Sequence, residues 1–376
     1  MLQSFQLLTG IDAERKRFML VEIPNAFGNR IAILDANNDC IYLYNVPAEK
    51  EEGVDDTRVV WIANTLRRES GRMDMAEEMR AGLQPYMPAE LCTEHGFILD
   101  FEDQDEWEIV WGLEQCSVSV LFRGELVAIM PEWSGQDGFS GYSKGTNSES
   151  PIAWPLNPDN AEIPRVQREL QFLEDWNENT WRNYQEPLLA VYDEFHSGDK
   201  RYFACDGGDS PPLGLTCSRN DDSTFLTSEG MGLLPMPYLQ ATSPDGQEGC
   251  SRIELGMLVQ STADHMELAN YIGAHARYPW RYSTYFAHGH TIPCEQARSL
   301  RAEFEFVAIA DRALFFPDLQ LPDVQLPNLM SSVRLLFMLP ISAREQEFAL
   351  QNTTEELIAR IARVDNPLSP NRELVN

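Results

Sequence analysis

At 376 residues the chain is longer than one hydrophobic core sustains, since single cores stop growing at roughly 250–300 residues, so it divides into two domains. Hydrophobic residues make up 43% and aromatic residues 10%, enough apolar material for packed cores, which excludes wholesale disorder. Against 29 basic residues stand 59 acidic ones, and the formal net charge of −30 disfavours nucleic acid and anionic membrane as partners.

The first residues, Met1 to Gly10, lack a basic leader and cleavage signal, and no apolar run reaches the length of a membrane span. The seven cysteines are odd in number and scattered without a Cys-x-x-Cys pair, as expected of reduced thiols. Both readings place the protein in the cytoplasm.

The predicted elements begin with strands. Arg30 to Asp35 and Cys40 to Val46 alternate around the turn residues Asp35 to Asp39, which predicts a hairpin, and Arg58 to Ala63 predicts a third strand. Met75, Met79 and Leu83 stand at helical spacing in Met73 to Leu83, ended by Pro85 and Pro88. A second hairpin joins Cys116–Phe122 to Glu125–Met130 through Arg123-Gly124. The Gly- and Ser-rich run from Glu132 to Gly145 is then expected to form a loop exposing Trp133, Phe139 and Tyr142.

Glu162 to Tyr184 predicts a long helix with Val166, Leu170 and Leu173 on one stripe. A second helix follows Pro187 and stops at Ser197-Gly198, and Asp206 to Pro212 is loop by composition. Further on, Ser251 to Val259 predicts a strand, His265 to Arg277 a helix, and the alternating Phe304, Phe306 and Ala308 another strand. Leu314 to Pro317 predicts a short strand, and the apolar run Val333 to Ile341 a buried central one. Ser342-Ala-Arg-Glu345 is a capping box that starts a helix, Thr353 to Glu356 starts another, and Pro367 and Pro370 mark a free tail.

The segment Gly273 to Pro293 sets Tyr278, Trp280, Tyr282, Tyr285 and Phe286 among Arg277, Arg281, His288 and His290. Aromatic and arginine side chains dominate energetic hot spots at interfaces. They equally pin a helix end to a sheet through buried hydrogen bonds, and both readings stay open. The partner-binding candidates are therefore Trp133, Tyr142, Tyr278, Trp280, Tyr282, His288 and His290. His288-Gly-His290, with His275 and Cys294 near in sequence, lacks the second ligand pair of a zinc site, so structural histidines and no metal are expected. No Gly-x-Ser-x-Gly elbow, P-loop or Gly-x-Gly-x-x-Gly sequence occurs, and neither catalytic residues nor a cofactor are assigned. Glu303 and Glu305 read as a solvated strand face. The acidic clusters Glu49–Asp56 and Asp100–Glu108 serve either solubility or docking of a basic partner.

Several landmarks in order resemble the suppressor of fused family: Gly232-Leu-Leu-Pro-Met-Pro237, Arg252-Ile-Glu-Leu-Gly256, Ala276-Arg-Tyr-Pro279, Gly289-His-Thr-Ile-Pro293 and Val333 to Ala349. The resemblance spans roughly Leu188 to Val364 and implies a binding protein rather than an enzyme. The animal member clamps an extended peptide of a transcription factor between its two domains by strand addition. Bacterial members resemble immunity proteins encoded beside secreted polymorphic toxins.

The expected architecture is α+β in two domains, each a mixed or antiparallel sheet with flanking helices. An N-terminal domain at 1–160 is followed by a helical linker at 161–187, a suppressor of fused-like domain at 188–366 and a flexible tail at 367–376. The expected role is a bacterial, non-enzymatic immunity protein that neutralises a secreted toxin, a basic one if the acidic clusters dock it. The alternatives are a hydrolase or transferase with a site in the interdomain cleft, and a scaffold capturing an extended peptide.

Overall fold

The computed structural model describes residues 18–37, 39–49, 56–66, 78, 84–101, 103–205, 212–238, 251–294, 300, 303–326, 329–365, 367 and 372–375. The predicted helix Met73–Leu83 (apart from Glu78), the run 50–55 and the loop 206–211 lie outside these residues. The chain splits into two compact units, Met1–Leu170 and Gln171–Asn376. The fold is α+β. Among the described residues no helix is long and apolar enough to cross a membrane.

In the first unit four antiparallel strands, β1 (Phe18–Pro24), β2 (Arg30–Ala36), β3 (Cys40–Pro47) and β4 (Arg58–Asn64), form one sheet in chain order. The β2–β3 turn forms because the Asn37 Oδ1 accepts from the Asp39 and Cys40 amides at 2.7 and 2.8 Å. A second sheet follows the order β5 (Trp107–Trp111), β6 (Val118–Phe122), β7 (Glu125–Met130), β8 (Tyr142–Ser143) and β9 (Trp154–Pro155), with only β8–β9 parallel. Arg123 and Gly124 both take positive φ, 53° and 75°, so β6 and β7 meet in a tight two-residue turn whose twist suits the strands. Inward residues of both sheets, including Leu34, Leu43, Trp61, Trp107 and Val120, share one core. The first turns of helix α1 (Glu162–Glu174) add Val166 to a smaller cluster with Ile129 and Leu156.

The Gly-rich run after Pro131 is less open than its composition predicts. Phe139 is buried, its ring 4.9 Å from Tyr142 and 5.1 Å from Trp154. Gly145 approaches β4 so closely that a Cβ there would lie 2.5 Å from the Ile62 carbonyl oxygen. Lack of a side chain lets the segment close onto β4.

The second unit is built on a seven-stranded sheet of β10 (Asp199–Ala204), β11 (Gly214–Arg219), β12 (Ser223–Glu229), β13 (Ile253–Gln260), β14 (Thr291–Pro293), β15 (Phe304–Asp311) and β18 (Arg334–Ser342). Its spatial order is β10-β11-β12-β13-β18-β15-β14, and only β13–β18 is parallel. The apolar run at Val333 to Ile341 thus lies on the interior strand β18, covered on both sides. A separate pair joins β16 (Val324–Leu326) to β17 (Leu329–Ser331).

Helix α2 (Glu178–Phe195) covers one sheet face, with the Tyr192 and Phe195 rings 6.0 and 5.0 Å from Phe225. Helix α3 (His265–Ala276) covers the other: a Cβ on Gly273 would lie 3.8 Å from Leu215, which the β11–β12 register sets opposite in facing to Phe225. The short α4 (Tyr278–Arg281), then α5 (Ala343–Gln351) and α6 (Thr354–Ile361), complete the unit. Ser342 and Glu345 form the reciprocal capping box expected at the start of α5, and Thr353 caps α6.

Three local features differ from expectation. The helical break falls at 175–177 rather than at Pro187, because Asn177 caps α2 by accepting from the Asn179 amide at 2.9 Å, and Pro187 sits inside the helix. Leu314 to Pro317 is no strand. Asp311 accepts from the Ala313 amide at 2.8 Å and sets a 3-10 turn over Arg312–Leu314. Residues 372–375, placed by composition in a free tail, are docked. Arg372 donates from Nη1 and Nη2 to the two oxygens of Glu345 at 2.5 and 2.9 Å, and from Nη2 to the Pro340 carbonyl at 3.0 Å.

Candidate functional site

The aromatic segment is assembled by the end of α3. Asp264 starts that helix by accepting from the Met266 and Glu267 amides. Pro279 lacks an N–H and cannot extend α3, but it fits the first turn of α4, so the chain turns there. Alternate residues of α4 then take opposite environments. Trp280 is buried, and its indole N–H donates to the Pro235 carbonyl at 2.8 Å. Tyr278 and Tyr282 are 36% and 61% exposed, with ring centroids 4.5 Å apart. Tyr278 also stacks over buried Phe286 at 5.8 Å and beside His275 at 6.1 Å. The result is a ledge of rings with its outer edge in solvent and its inner edge in the core.

The following turn leads into the edge strand β14. Gly289 has a φ of +93°, and a Cβ there would meet Glu355 Oε1 at 2.6 Å, so no other residue fits this turn without displacing Glu355. His288 Nδ1 accepts from the Asp311 amide at 3.3 Å. His290 lies with its ring 5.3 Å from Tyr285, and its backbone carbonyl accepts from the Ile309 amide at 2.8 Å. Burial lowers the pKa of His290 and, separately, of His275, whose Nδ1 is 2.8 Å from the Tyr271 carbonyl. Buried Cys294 donates its S–H to the Phe304 carbonyl, and burial raises its pKa to about 11, unlike a metal-binding thiolate. Among the described residues no group of three or more His, Cys, Asp or Glu side chains is disposed to hold a metal ion.

Of the seven partner-binding candidates, Tyr278 and Tyr282 lie side by side at the surface with Trp280 buried between them in sequence, whereas His288 and His290 are half-buried on the turn into β14, against Asp311 and Tyr285. Trp133 and Tyr142 belong to the first unit, where both are partly buried and Tyr142 is a strand residue paired with Ile129.

Residues 209–373 match the family model described as Suppressor of fused protein (SUFU). The C-terminal half of the chain carries a suppressor of fused domain. The aromatic segment and Arg372 both fall within this domain, whereas α2 precedes the matched span. No curated protein matches the chain. Among solved structures, a crystal structure of a SUFU homolog from Neisseria gonorrhoeae is 20% identical, covering 51% of this chain and 97% of its own at a TM-score of 0.34. The Sufu–Fu complex crystal structure is 16% identical, covering 50% of this chain and 88% of its own at a TM-score of 0.35.

Sequence reasoning missed two further features of the second unit. The other edge strand, β10, is exposed along nearly its whole length, with Tyr202 57% exposed. Its Asp-Lys-Arg-Tyr-Phe-Ala sequence lacks the alternation that marks a half-buried strand. A polar layer of Tyr184, Gln185, Tyr192, Glu229 and Glu254 also lies buried between α2 and the sheet. The spacing of Tyr184, Leu188 and Tyr192 along one helix face was its only local signal.

Proposed function

We propose that the chain is a non-enzymatic protein-binding protein that docks its partner on the Tyr278–Tyr282 ledge, and that the partner is a secreted toxin it neutralises. The observation that carries this reading is the pair of exposed tyrosines with rings in tilted contact, flanking a Trp280 that is buried and hydrogen-bonded to the Pro235 carbonyl. Large aromatic rings held rigid by a packed base lose little conformational entropy on binding and contribute most of an interface's energy. Membership of residues 209–373 in the suppressor of fused family supports a binding role over catalysis. The net charge of −30 supports a basic partner, drawn in by long-range attraction.

The test is affinity capture with the tagged full chain from its native cells, compared with a Tyr278→Ala/Tyr282→Ala variant. One stoichiometric basic protein is expected with the parent, held less tightly by ~10²-fold or more in the variant. Equal capture by both chains would remove the ledge from the interface. A second reading, capture of an extended peptide by strand addition, is favoured by the uncovered edge of β10. It predicts that a proline at Tyr202, rather than the tyrosine pair, abolishes binding.

A further inference from the structure

Beside the Phe225 and Phe337 rings, part of the sheet face beneath α2 is polar where a helix–sheet layer is ordinarily apolar. Register sets Thr216 opposite Thr227 and Gly214 opposite Glu229, so Thr216, Thr227 and Glu229 occupy neighbouring rows of one face. Phe225, two residues from Thr227 on that face, receives the Tyr192 ring at 6.0 Å. Gln185, about two turns earlier on α2, donates to Glu229 Oε2 at 2.6 Å. Long helical side chains lean toward the helix N-terminus, which carries the Tyr192 phenol back over the threonine row.

Part of this layer is fully paired. Glu254 accepts from Tyr184 Oη, from Ser228 Oγ at 2.5 Å, and from the Gly230 and Gly232 amides at 2.8 and 3.1 Å. The His196 ring nitrogens lie 2.9 and 3.0 Å from the Ser218 and Ser223 hydroxyls. The rest is not paired. Tyr192 Oη, Thr216 Oγ1, Thr227 Oγ1 and Glu229 Oε1 have no hydrogen-bond partner among the described residues. Their residues are nevertheless only 2%, 3%, 0% and 1% exposed. A buried polar group left unmatched is among the costliest defects a fold can hold, and four in one layer would weigh heavily on a marginally stable unit.

We infer that these four atoms line a buried hydration site in which ordered water bridges α2 to the sheet. Water matches the chemistry of the lining. It donates to Glu229 Oε1, which needs a donor, and both donates to and accepts from the three hydroxyls, reaching the two to four partners that retain an internal water. A cation satisfies the four oxygens but leaves the hydroxyl hydrogens of Tyr192, Thr216 and Thr227 without acceptors. Water therefore fits better than a metal ion, and the site is a water-mediated seam rather than a metal centre.

The test uses the full chain with Tyr192→Phe and, separately, Thr227→Val, each nearly isosteric. Magnetic relaxation dispersion of solvent water reports long-lived internal water, and urea unfolding reports stability. The expected result is a smaller dispersion in each variant and a folded-to-unfolded ratio lowered about five-fold, the worth of one hydrogen bond. An unchanged dispersion in both variants overturns the inference. A dry layer would add a second sign, since deleting an unmatched hydroxyl then raises the ratio. A thermal midpoint that differs among sodium, potassium and choline chloride assigns the site to a cation and overturns it equally.

Discussion

Glu345 shows how much one carboxylate can organise. It closes the capping box by accepting from the Ser342 amide at 2.9 Å, takes both arms of Arg372, and accepts from the Val375 amide at 3.0 Å. Burial alone would raise its pKa, but the Arg372 guanidinium and these amides outweigh burial and hold it below the usual carboxylate value. Removing the arginine leaves a fully buried carboxylate without its countercharge. Arg372→Ala is expected to cost about 3–5 kcal/mol in urea unfolding, and Glu345→Gln in that background to recover part of the loss. The capping box was legible because it is a four-residue pattern. Arg372 was not, because nothing local ties it to a glutamate 27 positions earlier. Composition likewise could not separate Trp280 from Tyr282, aromatic residues two apart on one helical turn that end on opposite sides of the surface.

At the scale of elements, alternation, turn chemistry and one continuous apolar run located β2, β3, β4, β6, β7, β13 and β18 within a residue or two, and the start of β15. Strands β1, β5, β8, β9, β11, β12, β16 and β17 were also passed over, and for two of the missed strands the reason is physical. β10 is exposed on both faces, and β14 is three residues long. Pro187 misled because a proline ordinarily breaks a helix, whereas here the break is set by the Asn177 cap. The Gly-rich run was read as a loop because glycine signals turns more often than close approach. Close approach predicts a specific sensitivity: Gly145→Ala would push a methyl into the Ile62 carbonyl and to 3.0 Å from the Trp61 ring. The expected loss is about 1–3 kcal/mol, read by urea unfolding with tryptophan fluorescence. A change below ~0.5 kcal/mol would mean that β4 and the segment separate easily.

Across the whole molecule, buried acids set the response to pH. Burial, reinforced by Glu114, raises the Glu169 pKa to about 7; burial, with Glu254 and Asp193 adding to it against the Gln185 hydrogen bond, does the same for Glu229. Both pKa values are raised on folding, so their contribution is complete below the unfolded value of about 4.3 and is lost as pH rises through about 7. Glu345 and Asp311 are lowered on folding, so theirs is present above the unfolded values and is lost as pH falls through the depressed ones. The excess negative charge also repels itself less when partly protonated. The thermal midpoint is therefore expected to peak near pH ~5 and fall toward pH ~8, with a Glu169→Gln/Glu229→Gln variant flattening that decline. A midpoint that climbs steadily from pH ~5 to ~8 would refute this account. The two-unit composition and the α+β class were legible at this scale, but the β13–β18 parallel pairing was not, since a long crossover leaves no pattern in either strand.

The docking of residues 372–375 also bears on biogenesis. Synthesis proceeds from the N-terminus, and domains fold as units while the chain emerges. The β18–α5 corner is made well before its countercharge at Arg372, so during that interval the nascent chain carries Glu345 without the arginine that its native pocket requires. A chain that stops short of residue 372 carries the same buried, uncompensated charge as Arg372→Ala, so the second unit reaches its full stability only once this last segment has joined it.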